Sequence, residues 1–361
     1  MLDSPPPRLR VLVLDGQHRQ ALAVVRSLGR RRAEVTVAAP RPHVPAFDSR
    51  FCRRRLLAPD PCRDRDAFAS WLLQTLRQTP QDALLFFDAS TATLLVSQRE
   101  KLRPLTGCPL PEPRVFEAYA ARETLTRLAA ALGVETAARA AAASQAVTPR
   151  RDYALLALLR RGDPVATFVH RLRDESSEQI LPWFERPAVE SAHHPEVRRL
   201  GLELLTRQQW DGLATVGFRH ELHADRLVLL GLHPSWNEGI ELAIASGIDM
   251  PWLYAQLAAG RPITGPTRYR VGRKRRRVFS PPRGHGLPES ERLSTLRPDV
   301  GTELFFQDPL PHLPTIGRAA GWLRAHLRVR RRRLRRGGSR RPRRLLVVHG
   351  GRRDRDCDPA A

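Results

Sequence analysis

Apolar residues in the first third of the chain fall into short runs, separated by segments with helical spacing. Short uninterrupted apolar runs are typical of buried strands, and apolar positions three and four residues apart are typical of one helix face. The predicted strands are 9–14, 34–39, 54–58 and 83–87, and the predicted helices are 20–28 and 68–76. Their alternation predicts a parallel α/β layer with helices on both faces of the sheet.

The pattern changes after the proline-rich segment 104–113. One helix is predicted over 115–132, followed by Gly133 and by an alanine-rich linker or short, poor helix at 137–149. The remaining predicted elements are two hairpins, 154–159 with 164–170 and 212–219 with 226–230, and three helices, 196–208, 240–246 and 252–259. This half of the chain is therefore predicted to be α+β, with a mixed or antiparallel sheet.

The chain has 361 residues, which is more than the roughly 250–300 at which single hydrophobic cores stop growing. We expect four segments: an α/β domain at 1–114, a helix and linker at 115–150, a second domain at 151–323 and a disordered tail at 324–361. No apolar run reaches the ~18 residues of a membrane span. Because the N-terminal sequence also lacks the features of a signal peptide, the expected location is the cytoplasm.

The four cysteines are scattered, at Cys52, Cys62, Cys108 and Cys357, without a CxxC pair or a histidine at zinc-site spacing. We predict reduced thiols, because neither a disulfide framework nor a structural metal site matches this spacing.

Half of the formal net charge of +24 lies at the C-terminal end, where residues 324–361 hold 15 arginines against three aspartates, and the other half is spread over the rest of the chain. Three interpretations of this tail stay open. It binds nucleic acid in a salt-dependent way, it lies on an anionic membrane surface, or it is a solubilising end without a function of its own. The second basic run, 273–277, is interpreted as a solvated patch.

Several ordered segments resemble one family. RGDPVATFVHRLRD (161–174), QWDGLATVGF (209–218) and LHPSWNEGIELAIASGIDMP (232–251) are similar to consecutive elements of the ATP-grasp C-terminal subdomain. VLVLDG (11–16), the helix after it and SRFC (49–52) resemble the preceding domain of the carbamoyl-phosphate-synthase-like branch, and FFQDPLPHLP (305–314) resembles its closing segment. The resemblance implies a pre-ATP-grasp α/β domain followed by an ATP-grasp domain.

The resemblance also implies ATP and magnesium as cofactors, with a small carboxylate as a partner that is activated as an acyl phosphate before an amine attacks it. The residues at the family's magnesium and phosphate positions are different here: Gly217 and Gly231 replace the two carboxylates, His233 replaces an asparagine, and Ser235 replaces an arginine. Neither glycine offers a side-chain ligand, and a hard cation prefers oxygen to the nitrogen of histidine. We therefore predict no metal site and no catalytic residue.

The family's small subdomain, which carries phosphate-binding lysines and a glycine-rich cover loop, has no counterpart of similar length. Only about twenty residues separate Gly133 from Tyr153, and the chain has no lysine between Lys101 and Lys274. A lost subdomain and an error in the gene sequence are both compatible with this gap.

Three residues are predicted as remnants of the cofactor-binding cleft, namely Arg171, Arg173 and His233. The two arginines alternate along a strand and would suit an anion, and the alternative is a solvated or salt-bridged strand face. His233 is either a relic ligand or a tolerated residue. The turn at 15–18 is either a ligand site at a helix N-terminus or an ordinary strand-to-helix turn.

Three functional hypotheses remain. The chain is a degenerate ATP-grasp pseudoenzyme that binds a ligand or partner, an active ATP-dependent ligase with a rearranged site, or an anion-binding protein that acts through its arginine tail.

Overall fold

The computed structural model describes residues 8–137, 150–172, 188–234, 236–237, 239–274, 308 and 311. Strands and helices alternate in the first part of the chain. They are β1 (Arg10–Val13), α1 (Arg19–Arg30), β2 (Glu34–Ala39), β3 (Cys52–Leu57), α2 (Arg65–Gln78), β4 (Ala83–Leu85), α3 (Ala89–Ser97) and α4 (Arg99–Leu102). The four strands form a parallel sheet in the order β3-β2-β1-β4, which confirms the predicted α/β layer.

Strand β1 is buried on both faces, as a near-continuous apolar run in a parallel sheet should be. Val11 and Val13 pack in the core that contains α1, whereas Leu12 and Leu14 pack in the core that contains α2 and α3. This alternation follows from the two-residue period of a strand. Helices therefore cover both faces of the sheet, as predicted.

The strand order places a topological switch point between β1 and β4. The chain runs from β1 to β2 on one side of β1, and β4 lies on the other side. In open α/β sheets, ligands bind in the crevice at the carboxyl ends of the two strands that flank such a point. The turns that follow β1 and β4 are therefore the first place to look for a site.

The second sheet has six strands in the order β5-β10-β9-β6-β7-β8. Its elements are α5 (Pro113–Ala120), α6 (Arg122–Ala131), β5 (Glu135–Thr136), β6 (Arg150–Arg160), β7 (Asp163–Leu172), β8 (Ala188–Ser191), α7 (Pro195–Arg207), β9 (Gly212–Glu221), β10 (Arg226–His233), α8 (Ile240–Ser246) and α9 (Met250–Ala258). Strands β6 with β7 and β9 with β10 are antiparallel, which confirms both hairpins. The two residues that connect β6 to β7, Arg161 and Gly162, both have positive φ, as a tight hairpin turn requires.

Some elements differ from the prediction. The single helix predicted over 115–132 is two helices, because the backbone of Ala121 between them is extended, with ψ 119°. Helix α3 was not predicted, and it begins where Asp88 accepts a hydrogen bond from the backbone N–H of Ser90 (2.8 Å). Strands β5 and β8 were also missed. β5 has two residues and exists through its pairing with β10, a contact that no local pattern encodes.

Helices α8 and α9 connect the two sheets. They pack against α1 and β4 on one side and against β6 and β8 on the other. One apolar core results, to which Val13 and Leu85 of the first sheet and Leu156 and Phe168 of the second sheet belong. No helix in the described part of the chain is long and apolar enough to cross a membrane.

Cys52, Cys62 and Cys108 are free thiols. Cys357, the predicted linker apart from its first residue, and the whole arginine-rich tail lie outside the described residues.

A buried ion pair attaches Asp308 to helix α1. The Asp308 carboxylate accepts hydrogen bonds from Arg26 Nε (3.0 Å), from Ser49 Oγ (2.6 Å) and from the backbone N–H of Arg50 (3.1 Å). Arg26 also donates to the Asp308 carbonyl oxygen (2.6 Å). Burial lowers the pKa of Arg26, and the hydrogen bond with Asp308 opposes that shift. The closing segment identified in the sequence is therefore fixed on α1 at this residue.

We expect Arg26→Met to lower the free energy of unfolding by about 3–5 kcal/mol, because it leaves a buried carboxylate without its partner. Urea unfolding followed by circular dichroism measures the change. Arg63→Ala is the matched control, since Arg63 is exposed and its contact with Asp60 is long (3.7 Å), and we expect less than about 1 kcal/mol there. Equal losses in both variants would show that the buried pair has no special role.

Candidate functional site

A buried carboxylate joins the two turns at the switch point. Asp15, directly after β1, accepts hydrogen bonds at Oδ2 from the backbone N–H groups of Phe87 and Asp88 (both 2.9 Å) and at Oδ1 from Thr91 Oγ1 (2.8 Å). Burial raises the pKa of Asp15, and these hydrogen bonds act in the opposite direction. The turn after β1 is therefore attached to the turn after β4, and Asp15 is engaged in holding them together.

Asp88 lies at the carboxyl end of β4 and caps helix α3. One of its oxygens accepts from the backbone N–H and the hydroxyl of Ser90, and the other lies 3.4 Å from His18 Nε2. The hydrogen bond with His18 is the main reason why the pKa of Asp88 lies below its ordinary value, and the bonds from Ser90 add to it. Asp88 is thus an ionised carboxylate at the mouth of the crevice.

The second sheet contributes His233, the last residue of β10. Burial lowers the pKa of His233 to about 4, and the negative charge of Asp88 acts in the opposite direction. The imidazole is therefore neutral at pH 7 and can both donate and accept a hydrogen bond. Aromatic contacts hold the loop after β10 in place, since the Phe87 ring lies 6.4 Å from the rings of both His18 and Trp236.

We call His18, Asp88 and His233 the interlobe cluster. The first two lie in turns that follow strands of the parallel sheet, and the third ends a strand of the mixed sheet. Its electrostatics combine one ionised carboxylate with a neutral imidazole. In the sequence, His18 and His233 are separate candidates, and Asp88 is not among the predicted site residues. The signal that could have found Asp88 is its place directly after the apolar run 83–87, on the edge where switch-point ligands bind.

The two glycines that the sequence resemblance assigns to magnesium positions are direct partners. Gly217 on β9 pairs in register with Gly231 on β10, and two residues further along the same strands Thr215 pairs with His233. Because side chains alternate along a strand, positions 217, 231 and 233 share the face that looks toward α8 and α9. The resemblance therefore selected positions that are adjacent in space.

A buried histidine continues the same row of the sheet. Ala154 pairs with Gly217 on one side and with His170 on the other. Asn237 Oδ1 accepts from the backbone N–H of Gly239 (2.9 Å), which orients the amide so that its Nδ2 donates to His170 Nε2 (3.1 Å). His170 is therefore the tautomer with its proton on Nδ1.

The other predicted site residues lie elsewhere or are not described. Arg171 follows His170 and so projects from the opposite face of β7, where it donates to Glu190 of β8 (3.2 Å). Arg173 and Ser235 lie outside the described residues. Among the residues that are described, no group of three His, Cys, Asp or Glu side chains could hold a metal ion.

No family model matches the chain, and no curated protein sequence is similar to it. Solved structures are similar in fold. The pyruvate carboxylase of Rhizobium etli superimposes with a TM-score of 0.54 at 12% identity, over 73% of this chain and 26% of that one. The biotin carboxylase domain of a single-chain bacterial carboxylase superimposes with a TM-score of 0.50 at 12% identity, over 70% of this chain and 68% of that one. The L-amino acid ligase of Bacillus licheniformis superimposes with a TM-score of 0.50 at 13% identity, over 70% of this chain and 75% of that one.

This chain has the ATP-grasp fold. At these identities the likeness concerns the fold, and the chain spans about a quarter of the length of the pyruvate carboxylase. The parallel sheet and the mixed sheet are its two principal layers.

The low pKa of His233 predicts a specific pH dependence of stability. The pKa of His233 is about 4 in the folded protein and ordinarily 6.5. Between pH 4 and pH 6.5 the unfolded chain therefore binds more protons than the folded chain does. The contribution of neutral His233 to the free energy of unfolding is therefore fully present above pH 6.5 and is lost as the pH falls toward 4. The loss amounts to about 3 kcal/mol at most, since each pKa unit corresponds to about 1.4 kcal/mol.

We expect His233→Gln to lose less stability than the unmodified chain between pH 6.5 and 4.5, measured by urea unfolding at a series of pH values. His223→Gln is the control, because His223 is exposed in the turn between β9 and β10. The assignment fails if both variants show the same pH dependence as the unmodified chain.

Proposed function

We propose that this chain is a degenerate ATP-grasp protein of the carbamoyl-phosphate-synthase-like branch, which keeps the scaffold and binds a small ligand without ATP-driven turnover. The observation that carries the proposal is the pairing of Gly217 with Gly231 on adjacent strands. Two neighbouring strand positions that would hold a metal ion with carboxylates have no side chains.

The chemistry of the family explains why this pair matters. Formation of an acyl phosphate needs magnesium bound to phosphate oxygens, and magnesium is held by carboxylate and amide oxygens in near-octahedral geometry. The nearest polar side chains on the same face are Thr215 and His233. A neutral imidazole is a poor magnesium ligand, and a single hydroxyl does not replace two carboxylates. The residues present do not fit the ion, and we route no step of the proposed function through it.

The length of the connection before β6 supports the same conclusion. Strand β5 ends at Thr136 and β6 begins at Arg150. The thirteen intervening positions are too few for a subdomain with strands, a cover loop and a hinge. A cover that excludes water is part of what makes such reactions efficient, so its loss argues against turnover independently of the metal ligands.

The interlobe cluster is the place where we propose that the ligand binds. It lies at the switch point, where α/β sheets bind ligands. Asp88 offers an acceptor and His233 offers either a donor or an acceptor. A small molecule with an amine or hydroxyl group next to a polar acceptor would match this set.

Titration calorimetry with ATP, with and without magnesium, tests the proposal against the hypothesis of an active ligase. We expect no magnesium-dependent binding at millimolar ATP, because the oxygen ligands are absent at positions 217 and 231. The same sample should show a cooperative thermal transition, which establishes that it is folded. Magnesium-dependent binding with phosphate release in the presence of a carboxylate and an amine would overturn the proposal in favour of a rearranged active site.

A further inference from the structure

A polar cavity lies at the edge of the parallel sheet opposite the interlobe cluster. It has a volume of about 400 Å³ and is formed by the segment after α4, the start of α5 and the turns before β7 and β9. Gly107 in its wall bridges to Ala83, the first residue of β4, whereas Asp88 lies beyond the other end of the same strand, three residues after Leu85. The cavity and the cluster are therefore separate. Its volume is in the range of small-molecule sites, about 300–1,000 Å³.

The cavity is lined by an excess of positive charge. The charged lining residues are Arg99, Arg103, Arg114, Arg161, Glu112 and Asp211. Four arginines against two carboxylates leave a net charge of +2. Burial raises the pKa of Cys108 in the wall to about 12, so its thiol is neutral and adds no negative charge.

Both carboxylates already have partners. Glu112 lies 2.7 Å from Arg99 Nη1, a close charge contact. Asp211 accepts a hydrogen bond from the backbone N–H of Arg161 (3.1 Å), which leaves the Arg161 guanidinium for other contacts. Within the described residues, the side chains of Arg114 and Arg161 make no ion pair. Arginine without a protein partner in a cavity is suited to bidentate contact with a tetrahedral or planar anion.

A buried hydroxyl provides a second, independent indication of a ligand. Thr106 lines the cavity and is 8% exposed, and its Oγ1 makes no hydrogen bond within the described part of the chain. Most buried polar side chains in proteins are hydrogen-bonded, and one that is not calls for an explanation such as a bound water, an ion or a functional role. Thr106 Oγ1 can donate to an anion that the arginines hold.

A neighbouring cavity of about 640 Å³ at the same edge is a weaker candidate. Its charged lining residues are Arg8, Arg10, Arg261, Glu34 and Asp82, and Arg10 pairs with Asp82 at 2.8 Å. Three arginines against two carboxylates leave a net charge of +1, which is less than the +2 of the first cavity.

We propose that the cavity around Arg114, Arg161 and Thr106 is a binding site for a phosphoryl group, either of inorganic phosphate or of a small phosphate monoester. The first turn of α5 contributes as well, since Arg114 stands at the N-terminal end of that helix, where the dipole favours an anion. The wall is closely packed at Gly107, where a Cβ would collide with the backbone carbonyl of Ala258.

Calorimetric titrations of the full chain at constant ionic strength test this proposal. The probes are inorganic phosphate, glycerol 3-phosphate and acetate. We expect one phosphate or glycerol 3-phosphate per chain, and weak or no binding of acetate. Tighter binding of glycerol 3-phosphate would identify a monoester as the ligand, and tighter binding of phosphate would identify the free ion. Both results support the site.

Three variants locate the binding. Arg161→Asn removes the cation with a residue that tolerates positive φ, Arg114→Gln removes the second cation, and Thr106→Val removes the hydroxyl at similar volume. We expect the dissociation constant to rise about tenfold for each arginine and about fivefold for Thr106. Arg77→Gln is the control, because Arg77 is exposed at the end of α2, away from the cavity, and it should bind as the unmodified chain does.

Thermal unfolding of each unliganded variant establishes that it is folded. Absence of saturable binding to the unmodified chain would overturn the proposal, as would equal affinity for acetate or unchanged affinity in all three cavity variants. Because the cavity and the interlobe cluster lie at opposite edges of the sheet, these outcomes are independent of the titration with ATP and magnesium.

Discussion

The two sheets share one apolar core, and the arrangement of polar residues around it depends on that packing. Helices α8 and α9 bury side chains against both sheets, so Val13 and Leu85 belong to the same cluster as Leu156 and Phe168. Burial of apolar surface is the dominant favourable term in folding. The sheets cannot separate without exposing this surface to water, and residues that meet across the boundary between them therefore have fixed neighbours.

This packing creates a possible site at each edge of the parallel sheet. At the carboxyl edge, the loop after β10 lies against Phe87 and brings His233 close to Asp88. At the other edge, the end of α9 contributes Ala258 to the wall of the arginine cavity. The two edges differ in charge, because Asp88 is an ionised carboxylate and the cavity carries net positive charge. Ligands of different chemistry suit them.

The proposed absence of two metal-binding carboxylates from this scaffold has a simple physical basis. Neighbouring carboxylates on adjacent strands repel each other and are costly to bury. A protein that contains such a pair therefore keeps it for its function, at a cost in stability. Glycine at positions 217 and 231 removes this cost and leaves the hydrogen bonds of the β9–β10 ladder in place. The apolar faces that pack the sheet, such as Val216 and Phe218, are unaffected. Under the proposed function, the packing of the fold therefore does not depend on metal-binding carboxylates at these two positions.

The sequence by itself determined the elements whose signals are local. The apolar runs of β1 and β2, the helical spacing of α1 and the turn at Arg161 and Gly162 act within a few residues, and all of them are found in the structure. The resemblance also selected Gly217 and Gly231 as related positions. Short-range preferences of backbone and side chains suffice for such features.

Only the tertiary structure decided the rest. It broke the predicted helix at Ala121, formed the two-residue strand β5 against β10 and placed Asp88 between His18 and His233. It also gathered Arg114, Arg161 and Thr106 around one cavity, although they come from different segments. The physical reason is the same in each case. These contacts join residues that are distant in the chain, and their formation depends on the burial of a shared core that no local pattern records.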